Sequence, residues 1–403
     1  RKHHFVALLH EKPFAGINGS GKHNNWSLYT DTGKNLLSPG PDPEANLMFL
    51  TFFACVIRAV YEHAHLLQAS ICSPGNDLRL GQNEAPPGII SVFVGKMLDK
   101  VLNDVEKPPR RKRNEQLSEL MHLGITEIPE IITDNTDRNR TSPFAFTGSK
   151  FEFRAVGASA NSAFPMMVLN AIVGAQLRDL KERVDAKMRR GRKQEAALLD
   201  LIREYLGESK SIRFEGDGYS KVWLDMAKAR GLKIAQHTPD ALTALLSHTT
   251  KRLFKETGIL TEDELAARYR VLMAHYINKI EIEARMLLEM TRTMVMPEMN
   301  AYLKLILEQA EVQKRLNGED AASLKNAGKW AALQQKLSEQ SDALDMAIQE
   351  GSAFESLEEK ANLYAETARP LMLDMRKILD QLEDSLPDRS WPLPKYREML
   401  FIR

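Results

Sequence analysis

Lys150-Phe151-Glu152-Phe153-Arg154 alternates charged and aromatic side chains with period two. Successive side chains of a strand point to opposite faces, so Lys150, Glu152 and Arg154 share one face, and Phe151 and Phe153 the other. The charged row has two readings. It is the solvated side of an edge strand, or it is a place where a carboxylate binds a divalent cation while flanking bases hold phosphate and carboxylate oxygens. Outward from this strand, reaching to about residue 156, further short β-prone runs fall at 5–9, 23–29 and 143–147.

The run at 23–29 follows Asn18-Gly19-Ser20-Gly21-Lys22-His23. Its glycines can turn the backbone tightly and let a substrate approach the main chain. Alone, such a turn is only a turn, and His23 reads as a hydrogen-bonded core histidine as well as a ligand. Between the two pieces lies a helical pattern from Glu44 to Gln68, with Leu47, Leu50, Phe53, Ala54, Ile57, Val60 and Tyr61 on one face. A second helix is expected from Ile89 to Val105. Pro108-Pro109, the basic run Arg110 to Arg113 and Pro129 mark residues 106–138 as a surface insertion. The basic run reads as a solvated loop or as a nucleic-acid or targeting patch, and the near-neutral chain favours the loop.

Beyond Asn161 the pattern is helical. Thr238-Pro239 offers an N-cap followed by proline, Gly258 a helix stop, and Thr261 to Glu264 a capping box. The helix opened by that box is expected to run to about Val295, roughly 50 Å, where Pro297 would kink or end it. Long amphipathic helices follow from Asp320 to Ala347 and from Ala353 to Leu386, suited to packing on one another or on a neighbouring subunit.

Composition narrows the setting. The 403 residues, 43% hydrophobic, can fill a substantial core. With 55 basic against 54 acidic residues, no overall field draws the chain to nucleic acid or an anionic membrane. Two cysteines, Cys55 and Cys72, without C-x-x-C spacing, argue against a disulfide framework or cysteine zinc site and for a cytoplasmic setting. No segment reads as membrane-spanning. The chain lacks an initiating methionine and opens almost directly on the apolar run Phe5 to Leu9, so a truncated chain is expected.

The two pieces together resemble the glutamine synthetases, with their N-G-x-G-x-H turn and basic-x-E-x-R strand. Lys12-Pro13 stands where the family has a K-P pair, and Ser27 follows His23 by four. Arg79-Leu80-Gly81-Gln82-Asn83-Glu84-Ala85-Pro86 resembles the R…E-A-P segment, one residue shorter than the familiar bacterial form. Arg138-Asn139-Arg140-Thr141 resembles R-N-R-S, with Ala145 where the familiar form has another arginine. The stretch from Arg140 to Gly157, the long helical tail and the ending Trp391 to Ile402 are similar to type III glutamine synthetases, the large bacterial form.

This resemblance implies an α+β fold: the C-terminal part of the catalytic domain over residues 1–235, an antiparallel sheet with flanking helices, then a helical extension over 236–403. It implies formation of γ-glutamyl phosphate from glutamate and ATP, and displacement of phosphate by ammonia. His23 and Glu152 would hold Mg2+ or Mn2+. Arg79, Asn18 and Gly19 would orient glutamate; Asn25, Ser27 and Lys150 would lie along ATP; Arg140 and Arg154 would sit over the transferring phosphoryl group, the former also on the nucleotide and the latter on substrate; Glu84 would shield the acyl phosphate and help deprotonate ammonium. A homo-oligomeric ring is implied, with further metal carboxylates on strands upstream of residue 1, so residues 1–403 alone are expected to be inactive. A related γ-glutamyl-amine ligase and a non-catalytic assembly or regulatory subunit are the alternatives.

Overall fold

The computed structural model describes residues 10–13, 16–39, 43–81, 85–107, 141–318, 321–395 and 398. The expected strand at 5–9, most of the 106–138 insertion, Glu84, Arg138 and Arg140 lie outside them. Two compact units are present, Leu9–Tyr269 and a second gathering residues 270–403.

The first unit is built on a four-stranded sheet: β1 (Gly21–Trp26), β2 (Val92–Phe93), β3 (Phe144–Phe146) and β4 (Phe151–Gly157), in the order β1-β4-β3-β2. β4 pairs antiparallel with β1 and with β3. β2 runs parallel to β3, so the sheet is mixed where a wholly antiparallel one was expected. The alternation in β4 is realised: Phe151 and Phe153 are fully buried. Beneath them runs α1 (Pro43–Glu62), whose Phe49 and Phe53 meet the sheet. Phe53 stacks on Phe151 at 5.3 Å and meets Phe146 edge-on at 4.8 Å, while Phe144 stacks on Phe151 at 4.7 Å. Each such pair contributes about 1 kcal/mol beyond burial. The aromatic underside therefore fixes the sheet on α1, and the opposite face is left for charge.

The expected helix from Glu44 to Gln68 is two helices, bent by 71° at His63. The second, α2 (Ala64–Ile71), is buried from Leu66 to Ile71 without a break, so its apolar run offers no face that extends the period of α1. The short α3 (Pro74–Arg79) is capped by the Ser73 side chain, which accepts from the Asn76 N–H. The expected helix from Ile89 to Val105 begins only at α4 (Lys96–Glu106). Gly95 before it has φ +89°, a backbone that no helix continues, and the β-branched run ahead of it forms β2.

α5 (Ala163–Arg189) and α6 (Gln194–Glu208) pack on α1 around Cys55, Leu180, Val184, Leu201 and Tyr205. α7 (Lys221–Ala229) buries Trp223 against Phe214, with ring centroids 4.0 Å apart. α8 (Thr238–Leu242) is capped by His237, one residue earlier than expected, because the Thr238 hydroxyl is bonded to Asp77 at 2.8 Å. α9 (His248–Thr257) ends on Gly258 in the left-handed region, as expected. Thr261 and Glu264 form the reciprocal capping box of α10 (Glu262–Met290).

Pro297 does not end that helix. A π-turn at Thr291–Val295 passes into α11 (Met296–Asn317), with the proline at the start of the new α segment. Widening the turn accommodates the missing N–H and the ring that would clash with a preceding carbonyl. The same arrangement recurs between α13 (Leu357–Leu363) and α14 (Arg369–Ser385), where a π-turn at Tyr364–Ala368 precedes Pro370. In the second unit α11 lies along α12 (Ala321–Ala353), with Tyr302 edge-on to Trp330. Arg292 is bonded there to Asp342 and Asp345. No single helix among the described residues is long and apolar enough to cross a membrane.

Candidate active site

β1 and β4 bring together residues about 130 positions apart. Asn25 is the partner of Glu152 and Asn24 of Phe153, but Lys22 is already the partner of Val156. His23 alone therefore faces both Arg154 and Ala155, a β-bulge in β4. Standing two residues before Asn25, His23 shares the face of Asn25 and Glu152, and its Nδ1 lies 3.8 Å from Glu152 Oε1, both side chains about three-quarters buried. That separation is too long for a hydrogen bond. It suits two donors of one cation, which at about 2.1 Å each from the ion can stand up to about 4.2 Å apart. Among the described residues, no third His, Cys, Asp or Glu joins the pair.

The other oxygen of Glu152, Oε2, accepts from Arg154 Nε at 2.8 Å. Partial burial raises the affinity of Glu152 for its proton, but the Arg154 hydrogen bond and charge, with His23 and Lys150, outweigh it and hold the carboxyl below its usual range. At neutral pH Glu152 is an anion with Oε2 committed and Oε1 turned toward His23. Arg154 is buried, and its N–H donates to the Pro143 carbonyl at 2.9 Å. Across β4 from Asn25, Ala145 is the β3 partner of Glu152. The residue that departs from the familiar arginine thus sits in the same cross-strand row as Asn25 and Glu152, as a fully buried methyl group.

The glycine turn joins this site at the start of β1. Arg79 is only 1% exposed. Its guanidinium occupies the space where a Cβ on Gly21 would be, with Nη1 at 2.6 Å from that position. The glycine at 21 thus admits an arginine of the same chain where close approach of a substrate was expected. Arg79 Nη1 also donates to Asn76 Oδ1 at 3.3 Å. Asn76, completely buried, donates in turn to Ile71 and Ala155 carbonyls at 2.7 and 2.8 Å, riveting α3 to β4. Gly21 and His23 are two residues apart, about 7 Å along a strand, so the arginine and the His23–Glu152 pair belong to one site.

Asn18 is exposed at the tip of the turn and Gly19 is half-buried beside it. Asn25 is exposed on β1. The Ser27 hydroxyl lies 3.0 Å from Asn35 Oδ1 and 2.8 Å from the Ser149 carbonyl, so its proton is committed within the chain and only its lone pairs face outward. Lys150 is half-buried next to the carboxylate of Glu152.

Two residues of this region escaped the sequence reading. Asn76 is one. The other is Glu11, 1% exposed, which accepts from Ser159 N–H at 2.9 Å and from the Ser159 hydroxyl. Burial pushes its carboxyl up, but the two Ser159 hydrogen bonds prevail and leave it below the usual range. A charged residue beside the matched K-P pair, ahead of a glycine turn, was the only sequence signal available.

Residues 197–314 match the glutamine synthetase C-terminal domain. Over its whole length the chain is 42% identical to a glutamine synthetase of Bacteroides fragilis and 43% identical to a type-3 glutamine synthetase of Dictyostelium discoideum, covering 56% and 55% of those proteins. A glutamine synthetase of Butyrivibrio fibrisolvens is 38% identical over 99% of the chain and 57% of its own length. The chain spans about half the length of the curated relatives it matches.

Proposed function

We propose, from the premise that this chain is homologous along its whole length to glutamine synthetases of the type III kind, that it carries part of a site joining ammonia to glutamate through γ-glutamyl phosphate, with ATP as phosphoryl donor. The observation that carries the reading is the approach of His23 to Glu152 at 3.8 Å across the β1–β4 pairing. In this reading the pair holds a divalent cation, Mg2+ or Mn2+, whose chemistry would be to neutralise charge on the nucleotide phosphates.

The remaining roles follow from position and charge. Arg79, beside the 18–21 turn, pairs with the α-carboxylate of glutamate, and Asn18 and the Gly19 backbone complete that end. Arg154 keeps Glu152 ionised and adds positive charge where phosphoryl oxygens gather. Asn25, the Ser27 lone pairs and Lys150 extend the site along the nucleotide. Arg140 and Glu84, outside the described residues, keep the roles the resemblance implies: charge on the transferring phosphoryl group, and water exclusion with deprotonation of ammonium. The helical extension, which exposes Ile282, Met286, Leu305 and Leu316, is the part assigned to assembly of a homo-oligomer.

With two cation donors among the described residues, residues 1–403 alone are expected to form no glutamine in a synthetase assay; robust turnover would overturn that point. The reading as a whole is tested in the full-length protein by ATP-dependent formation of γ-glutamyl hydroxamate. His23→Ala and Glu152→Ala should each lower it about a hundredfold or more, as loss of a preorganised charge partner does. Undiminished turnover in either variant would refute the assignment.

A further inference from the structure

Glu11 lies where three parts of the first unit meet. Its main-chain carbonyl accepts from Ser20 N–H in the glycine turn at 2.8 Å. Its carboxylate takes both Ser159 donors just beyond β4. It also fills the places where Cβ atoms would stand on Gly157, 2.7 Å from Oε1, and on Gly75 of α3, against Oε2. One turn after Gly75 comes Arg79, whose guanidinium sits on Gly21, next to Ser20. The contacts close a ring: Glu11, Gly75, Arg79, Gly21, Ser20 and back to Glu11.

We propose that Glu11 is a positioning residue that fixes the distance between the 18–21 turn, the end of β4 and the helix bearing Arg79. The inference rests on reading Arg79 and that turn as the glutamate end of the site, and it names what holds that end together. The chemistry suits the role. A buried carboxylate bonded by two donors of one serine and wedged between two glycines loses those bonds if it changes place. Neither Gly75 nor Gly157 can gain a side chain without displacing the Glu11 carboxylate. The His23–Glu152 pair lies further along the β1–β4 ladder, held by main-chain pairing that Glu11 does not supply.

The test uses the full-length protein and the variants Glu11→Ala, Glu11→Gln and Ser159→Ala. Glu11→Ala should raise the KM for glutamate about tenfold or more, since a misplacement near 1 Å is costly in an oriented site. The KM for ATP should stay within about twofold. Ser159→Ala should shift glutamate KM the same way by a smaller factor. Glu11→Gln should fall between wild type and Glu11→Ala, because its amide oxygen still accepts from Ser159 N–H. Hydrogen exchange supplies a readout without turnover: in Glu11→Ala, peptides over 18–21 and 157–160 should exchange faster, while 151–156 keeps its protection. An unchanged glutamate KM with unchanged exchange would overturn the inference, as would equal rises in both KM values with exchange accelerated throughout. Absence of turnover in wild type would count against the proposed function, and the exchange pattern would then decide the role of Glu11 alone.

Discussion

Replacing Gly21 by alanine places one methyl group in the densest contact of the site. The new Cβ would stand 2.6 Å from Arg79 Nη1 and closer still to Cζ and Nη2, where ordinary contact begins near 3.4 Å. The guanidinium must therefore move by about 1 Å. Arg79 is the flexible end of a long side chain, which makes movement possible, but it is 1% exposed and tied to Asn76, which makes it expensive. Overpacking of this kind costs about 1–3 kcal/mol. On the proposed role of Arg79, any part of the strain relieved by displacing the guanidinium reappears as lost glutamate binding, where 1 Å is worth on the order of a hundredfold. Two assays on the full-length protein read the two outlets: the midpoint of urea unfolding, and the KM for glutamate. We expect a lowered midpoint, a KM raised tenfold or more, or both, with the KM for ATP little changed. Wild-type values of both midpoint and glutamate KM would refute the placement of Arg79 on the glycine turn.

Asn76→Ala removes the donors to Ile71 and Ala155 carbonyls and the acceptor for Arg79 in a fully buried place. At roughly 1 kcal/mol for each neutral bond and somewhat more for the charged one, the variant should lose about 3 kcal/mol, measured by urea unfolding. A loss below about 1 kcal/mol would show that α3 is not riveted to β4 through this side chain. Glu215 offers a pH test away from the site. Burial, reinforced by Asp99 against the opposing Val94 N–H bond, pushes its carboxyl from 4.5 up to about 7. Between those values the folded protein binds more protons than the unfolded chain, so this contribution to stability is complete below pH 4.5 and is lost as pH rises through 7. Glu215→Gln, which keeps the acceptor for Val94, should be more stable than wild type at pH 8, on the order of 2 kcal/mol after solvent screening, and this advantage should disappear near pH 4.5. Parallel pH profiles of the urea midpoint would contradict this.

What the sequence discloses here is what short-range chemistry encodes. Period-two alternation from Lys150 to Arg154 places the aromatic and charged faces of β4 correctly, because burial of Phe151 and Phe153 leaves one register open. Gly258 and the Thr261–Glu264 box mark helix ends through local backbone and capping geometry. The bulge opposite His23 was not legible, since it arises from pairing between segments about 130 residues apart. The bend at His63 was hidden because α2 is buried on all sides. Of the two outcomes expected at Pro297, a kink or an end, the end does not occur, because a π-turn admits the proline and the helix continues. Glu11 and Asn76 were invisible because their significance lies in which glycines, carbonyls and guanidinium they meet in space.

The central claim is that His23 and Glu152 serve one divalent ion. Electron paramagnetic resonance titration of Mn2+ into the full-length protein tests it directly, with wild type, His23→Ala, Glu152→Ala and the double variant. Donors to a shared ion are coupled, so each single substitution should weaken the same Mn2+ site about tenfold or more, and the double variant should lose much less than the product of the two. Wild-type Mn2+ affinity in either single variant, or losses that multiply as independent sites do, would contradict it.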